Sequence, residues 1–313
     1  MRREEISCMK NYIKSENPVI ISPNTQIADT NLVSIHTYSS GHSVPIFLVN
    51  NYYALNKMLG YAKYINGDFG TILYRGECFL HNTMIPSIHR GVISQKACHK
   101  ADTRLNNIIK YCLEDKSFVK TIMTENQTYP RLVLEGLLQH YGVRTHFIDV
   151  VDNHWVALWF GLYNVEKIKS KMSYIIYTKR NVDVHANLSD EAMYQYMILI
   201  ASNNSITNLN KIDNNKETVT IDLRANLPST FLRPHAQHGI VIRRFDSQSC
   251  DYDISKYVVG ILKIPIFLVE KWLGDGALLS VNNLFPSPAF DLGYDLLLDR
   301  TDLFSDYIHR IAY

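Results

Sequence analysis

One stretch, LLQHYGVRTHFIDVVDNHWVALWFG from Leu137 to Gly161, constrains the fold more than any other: a polar turn, a single embedded carboxylate and an apolar helix follow one another in it without a break. Gly142 supplies backbone angles that other residues adopt with difficulty, and Thr145 to Val151 is rich in the β-branched and aromatic types that suit a strand. Asp152 or Asn153 then stands as a natural N-cap. Val156, Trp159, Phe160 and Tyr163 follow at helical spacing, while Trp155, Ala157, Leu158 and Leu162 fill the other sides. A helix with no polar face is a buried helix. Asp149 therefore sits at the end of a strand beside a buried helix, where a carboxylate finds a partner or shifts its pKa.

The chain has 313 residues and is 46% hydrophobic, enough for a large core. Its 32 basic and 30 acidic residues leave a net charge of +2, so no global field draws nucleic acid or an anionic membrane. The five cysteines are odd in number and include no C-x-x-C pair, which argues against a disulfide scaffold or a zinc ribbon and for a reducing cytoplasm. MRREEISCMKNYIKSE has no apolar segment behind its charges, and no run reaches transmembrane length, so a cytoplasmic protein without membrane association is expected. There is no P-loop, H-E-x-x-H or G-x-S-x-G.

The segment 1–69 is rich in Asn, Ser and Tyr and interrupted by Pro18, Pro23 and Pro45, and reads as a small lead-in module, with a helix between Asn50 and Ile65. A strand is expected over Ile72 to Glu77, helix between Gly91 and Thr124, a buried strand over Ser173 to Lys179, and helix over Ala192 to Ala201. Ser202 to Thr218 reads as an exposed loop. Strands follow over Gly239 to Phe245 and Tyr257 to Ile266, then a helix through Val269, Trp272 and Leu273, and a last helix over 301–313. The fold class that results is α+β: a mixed, mainly antiparallel or split sheet with flanking helices, preceded by the small N-terminal module.

Four motifs in order carry a resemblance to a known family. They are Tyr74-Arg75-Gly76 with Pro86-Ser87-Ile88-His89-Arg90; Gln139-His140-Tyr141-Gly142 with Thr145, Asp149 and Ala157-Leu158-Trp159-Phe160; Gln237-His238-Gly239; and Leu284-Phe285-Pro286. Together they resemble the FRG domain family, over a span placed at 70–300. Val150 and Val151 stand where that family usually has Trp and Thr, and His154 where Pro is common. A more distant resemblance, to the three-motif plan of ADP-ribosyltransferases, implies an NAD- or nucleotide-handling protein of bacterial toxin or phage-defence systems. The other reading it leaves open is a non-catalytic module that binds a nucleotide, nucleic acid or a partner protein. It implies Arg75, with Gly76, on a phosphate of NAD. It also implies Tyr141, Tyr163 or Trp159 near the nicotinamide, with Thr145 in the same pocket, and Gln237 where such enzymes carry a catalytic Glu.

The chemistry can also be argued directly. Breaking a nicotinamide–ribose bond builds positive charge on the sugar, so it requires a placed carboxylate or acceptor, a cation on the pyrophosphate and a ring against the leaving group. Asp149 or Glu77 would supply the carboxylate in place of a Glu at position 237. His140 is either a general base or a hydrogen-bonded core histidine, and Arg75 either an anion holder or the structural partner of Asp149 or Glu135. Arg243 and Arg244 beside Arg233 either touch phosphates or edge a strand. A metal on His140, His146 and Asp149 is not expected, because strand alternation sends His146 and Asp149 to opposite faces.

Overall fold

The structure, a computed structural model, describes residues 16–92, 94–123, 128–169, 173–180, 191–203, 205–206, 217–245, 252–274 and 279–313. The chain begins with a hairpin of β1 (Thr30–Thr37) and β2 (Ser43–Val49), followed by α1 (Tyr52–Ile65) and β3 (Thr71–Glu77). Three helices come next: α2 (Gln95–Glu114), α3 (Lys116–Ile122) and α4 (Pro130–His140). Then follow β4 (Ile148–Val151), α5 (His154–Leu162), β5 (Tyr163–Lys169), β6 (Ser173–Lys179), β7 (Tyr194–Ser202), β8 (Ser205–Ile206) and β9 (Thr218–Asp222). The chain continues through α6 (Leu223–Asn226), α7 (Leu232–Ala236), β10 (Gly239–Arg244), β11 (Val258–Pro265) and α8 (Ile266–Leu273). It ends with α9 (Val281–Leu284), α10 (Leu292–Asp299), α11 (Thr301–Phe304) and β12 (Arg310–Ala312).

Nine strands form one open sheet in the order β1-β2-β11-β7-β3-β4-β10-β9-β8, and β12-β6-β5 form a second, smaller one. The large sheet is antiparallel except at the β2–β11 and β8–β9 pairs. The class is α+β, because the main sheet is mostly antiparallel and helices flank it.

Segment 1–69, read from the sequence as a module of its own, supplies the edge of the main sheet in its described part. β2 pairs with β11, and Val44, Phe47, Leu55 and Met58 share one core with Leu199 and Ile261. The expected boundary at residue 69 falls between α1 and β3, two elements of that core. Of Ala192 to Ala201, expected as helix, Ala192 and Met193 end a single 3-10 turn and the rest is β7. Its run QYMILIA is buried throughout, and a continuous apolar run carries no periodicity to separate a doubly covered strand from a buried helix. The expected last helix over 301–313 is one turn, α11, after which the chain extends and β12 pairs in parallel with β6. Most of the loop expected over Ser202 to Thr218 lies outside the described residues; its ends belong to β7 and β9.

The all-apolar α5 lies directly on β3 and β7, capped by the Asn153 side chain, which accepts from the Trp155 N–H. The contact is so close that a Cβ at Gly76 would stand 1.7 Å from the Ala157 carbonyl oxygen and 2.8 Å from the Gly161 nitrogen. Both are main-chain atoms that no rotamer change can move, and this steric fact accounts for the glycine after Arg75. Gly76→Ala should cost at least the ~1–3 kcal/mol of an overpacked core. Urea denaturation measures it, and an unchanged midpoint would show that α5 can withdraw from β3 freely.

Candidate functional site

The C-terminal end of α4, the strands β3 and β4, and the α7–β10 turn converge on a cavity of about 450 Å³. Arg75, Gly76, His140, Tyr141, Asp149 and Gln237, far apart in sequence, all line it. Thr145 does not: it is fully buried behind the wall, where its Oγ1 donates to Gln139 Oε1 at 2.9 Å and accepts from the Phe147 N–H. Trp159 does not line it either. It faces away from the cavity and stacks on Tyr163 at 4.1 Å, leaving Phe160 as the α5 ring on the wall.

Gln139 organises the wall. Its Oε1 accepts from Thr145 and, at 3.5 Å, from Ser87 Oγ, while its Nε2 donates to Asp149 Oδ2 at 2.7 Å. The Q-H-Y-G, T and D positions of the sequence motif are thus one hydrogen-bonded chain. His140, its side chain only 5% exposed, places Nδ1 3.6 Å from Asp149 Oδ1, and its ring fits because residue 239 is glycine: a Cβ there would meet the ring at 2.7 Å. Burial opposes ionisation of Asp149, but His140, Gln139 and Arg75 outweigh it and hold the carboxyl below its ordinary range.

Two neighbours hold Arg75 on the wall. Its Nε donates to Glu77 Oε1 at 2.6 Å and an Nη to the main-chain carbonyl of Asp149 at 2.7 Å. Glu77, the alternative carboxylate for the sugar, is thereby taken up by Arg75. The structural partner of Arg75 is Glu77, and Glu135 pairs instead with Arg243 at 3.0 Å. Arg244 lies near Glu217, so neither Arg243 nor Arg244 is on the cavity wall. Gln237 spends its amide N–H on the Leu284 carbonyl, at 2.7 Å, which ties the Q-H-G motif to the L-F-P motif.

The arginine that stands out is Arg233, on α7. It is 4% exposed, and its guanidinium lies over the rings of Tyr294, Tyr141 and Phe285 at 4.4, 4.5 and 5.3 Å. Its Nε and one Nη have no hydrogen-bond partner among the described residues, and no carboxylate lies within salt-bridge distance of it there. Asp291 accepts the Arg233 main-chain N–H and the Tyr141 hydroxyl rather than the guanidinium. Sequence reasoning raised Arg233 only as a neighbour of Arg243 and Arg244, because its three-ring cage is assembled from residues 52 to 92 positions away in the chain. Exposed Arg144 also lines the cavity, as do Tyr177 and Phe285, stacked at 4.2 Å.

The Asp149 geometry fixes a pH dependence. A carboxyl whose folded pKa lies below its unfolded value, about 3.9, adds stability that is complete above the unfolded value and is lost as pH falls through the folded one. Wild type should therefore melt higher than Asp149→Asn at neutral pH, with the gap closing below about pH 4. Thermal melts across pH measure this, and a gap that ignores pH would mean that the carboxylate gains nothing on folding.

Among the described residues no helix is long and apolar enough to cross a membrane. No curated protein and no solved structure matches the chain. Residues 70–170 match the family described as FRG domain, a span that takes in the Arg75-Gly76 pair, the Gln139–Thr145–Asp149 chain and α5. The cavity wall built by these elements is thus largely made by that span, and the chain contains an FRG domain.

Proposed function

We propose that the cavity binds a phosphate-bearing nucleotide, with NAD as the candidate, and that the bound molecule is cleaved at its nicotinamide–ribose bond in the manner of ADP-ribosyltransferases. The observation that carries this reading is Arg233, a buried guanidinium on the cavity wall with no carboxylate partner among the described residues. An uncompensated buried cation is costly unless a counter-ion is supplied, and a diphosphate is such an ion. Arg144 adds a second, exposed cation on the same wall. Tyr177 and Phe160 add aromatic surface to the wall for a planar base.

The reaction assigned to the site is heterolysis of the C1′–N bond. The bonding electron pair leaves with nicotinamide, and the ribosyl cation that develops faces the Asp149 carboxylate before water or an acceptor hydroxyl captures it and gives up a proton. Asp149 serves as an electrostatic stabiliser, kept ionised by Gln139 and His140. Gln237 supports the wall rather than the transition state, since its N–H is committed to Leu284. The commitment of Gln237 and the absence of a Glu there favour slow turnover, and they also support the second reading, a module that binds the nucleotide without cleaving it.

Calorimetry with NAD and ADP-ribose, followed by detection of released nicotinamide, tests both. Arg233→Met keeps the bulk of the cage and should weaken binding by roughly 10- to 150-fold, the equivalent of one charge-assisted contact of about 1.5–3 kcal/mol; Arg144→Ala, exposed and structurally neutral, should weaken it less. Asp149→Asn should bind NAD and release no nicotinamide. Binding without release by wild type favours the second reading. If neither ligand binds wild type at millimolar concentration, the nucleotide reading is wrong.

A further inference from the structure

On the far side of Thr145, outside the cavity, three side chains from three separate elements meet. His89 follows β3, Asp102 lies on α2 and His146 leads into β4. Asp102 Oδ1 is 3.0 Å from His146 Nε2 and 3.3 Å from His89 Nε2, and the three atoms all lie within 4.8 Å of one another. We propose that His89, Asp102 and His146 form a binding site for one divalent transition-metal ion of the zinc class, independently of what the cavity binds.

Four observations support the site. Ligand atoms at the bond lengths of zinc, about 2.0–2.2 Å, stand roughly 3.3 Å apart in a tetrahedron, close to both distances to Asp102. His146 Nδ1 is 2.8 Å from Glu135 Oε1, which also accepts the His146 main-chain N–H at 3.0 Å. A carboxylate that takes the Nδ1 proton leaves the Nε2 lone pair pointing at the cluster, the outer-sphere arrangement that orients histidine ligands. His89 is 7% exposed, yet neither ring nitrogen has a hydrogen-bond partner among the described residues. Tyr252 stacks flat on His89 at 4.2 Å, at an angle of 10°, and its ring is 5.2 Å from that of His146, which fixes the orientation of both imidazoles.

The rival account is an ion pair in which a doubly protonated His146 bridges Glu135 and Asp102. It satisfies His146, but it leaves His89 Nε2, 3.3 Å from Asp102 Oδ1, outside hydrogen-bond geometry and the buried Nδ1 without a partner among the described residues. A cation would take the lone pair of one ring nitrogen from each histidine and one Asp102 oxygen at once, leaving only the second nitrogen of His89 without a partner. Two imidazoles and one carboxylate suit zinc and its neighbours, whereas magnesium and calcium require oxygen donors. Asp102 is 21% exposed, so the ion enters from the α2 surface, and with three protein ligands one position stays open to water.

The test uses the full chain after chelator treatment, with Zn²⁺ titrated by calorimetry and Co²⁺ as a spectroscopic probe. Wild type should bind one ion per chain at micromolar concentration and melt at higher temperature with it, and Mg²⁺ should not compete. His89→Ala and Asp102→Asn should each weaken binding by about tenfold or more, since even outer-sphere changes cost 10–100-fold. Asp102 is on the surface side, so Asp102→Asn keeps the test valid if His89→Ala fails to fold. His99→Ala and Cys98→Ser, changes to nearby residues outside the cluster, should leave binding intact, and the cobalt spectrum should lack a thiolate charge-transfer band. The site is refuted if wild type shows no saturable zinc binding, if Asp102→Asn binds as well as wild type, or if Cys98→Ser abolishes binding.

Discussion

The contact between α5 and β3 is the constraint on which the rest depends. β3 is hydrogen-bonded on one side to β7 and on the other, at Tyr74, to β4, and α5 lies on it with only hydrogen at residue 76 between two backbones. A side chain there would push α5 outward, and Ala157 and Phe160, both on the cavity wall, would move with it. The same closeness explains why α5 has no polar face. With β3 and β7 beneath it and α8 against it, each side of the helix meets apolar neighbours.

Around this apolar contact the polar groups are arranged unequally. Arg75 shares its charge with Glu77 and the Asp149 carbonyl, so it behaves as a structural arginine. Arg233 has rings instead of acids. Cation–π contacts contribute about 2 kcal/mol or more each when desolvated, which makes the buried charge tolerable, but rings do not satisfy the five N–H donors of a guanidinium. The difference between the two arginines is one of partners: Arg75 has a carboxylate and a carbonyl, and Arg233 has rings.

What the sequence made legible follows from the range over which each signal acts. β3, β4, α1 and α5 were readable because their residues pack at the spacing that periodicity reports, and Asn153 caps α5 as its position implies. β7 was not, because a strand buried on both faces loses alternation. At the candidate site, the convergence of Arg75, Asp149 and Gln237 on one cavity was legible as motif order, whereas Thr145, expected in the same pocket, lies behind its wall. Trp159 shows the limit: an aromatic on a helix with no polar face can point to any side, and here it meets Tyr163 instead of the cavity. The cage of Arg233 and the His89–Asp102–His146 cluster had no local signal at all, since each is assembled from distant segments of the chain.

The two polar assemblies nevertheless have a common frame in α4. Residues four apart on a helix lie on one face, and Glu135 and Gln139 are such a pair: Glu135 holds His146, and Gln139 holds Thr145 and Asp149. The segment leading into β4 therefore meets α4 at two successive turns, with consecutive residues pointing to different partners. His146 stands in a bend before β4 and turns to Glu135, whereas Thr145 and Asp149 turn to Gln139. Neither site can therefore shift along α4 alone. Glu135 is held ionised, against the effect of burial, by His146 and Arg243. The contacts that Glu135 and Gln139 make to the segment around Thr145, His146 and Asp149 are no longer than 3.0 Å.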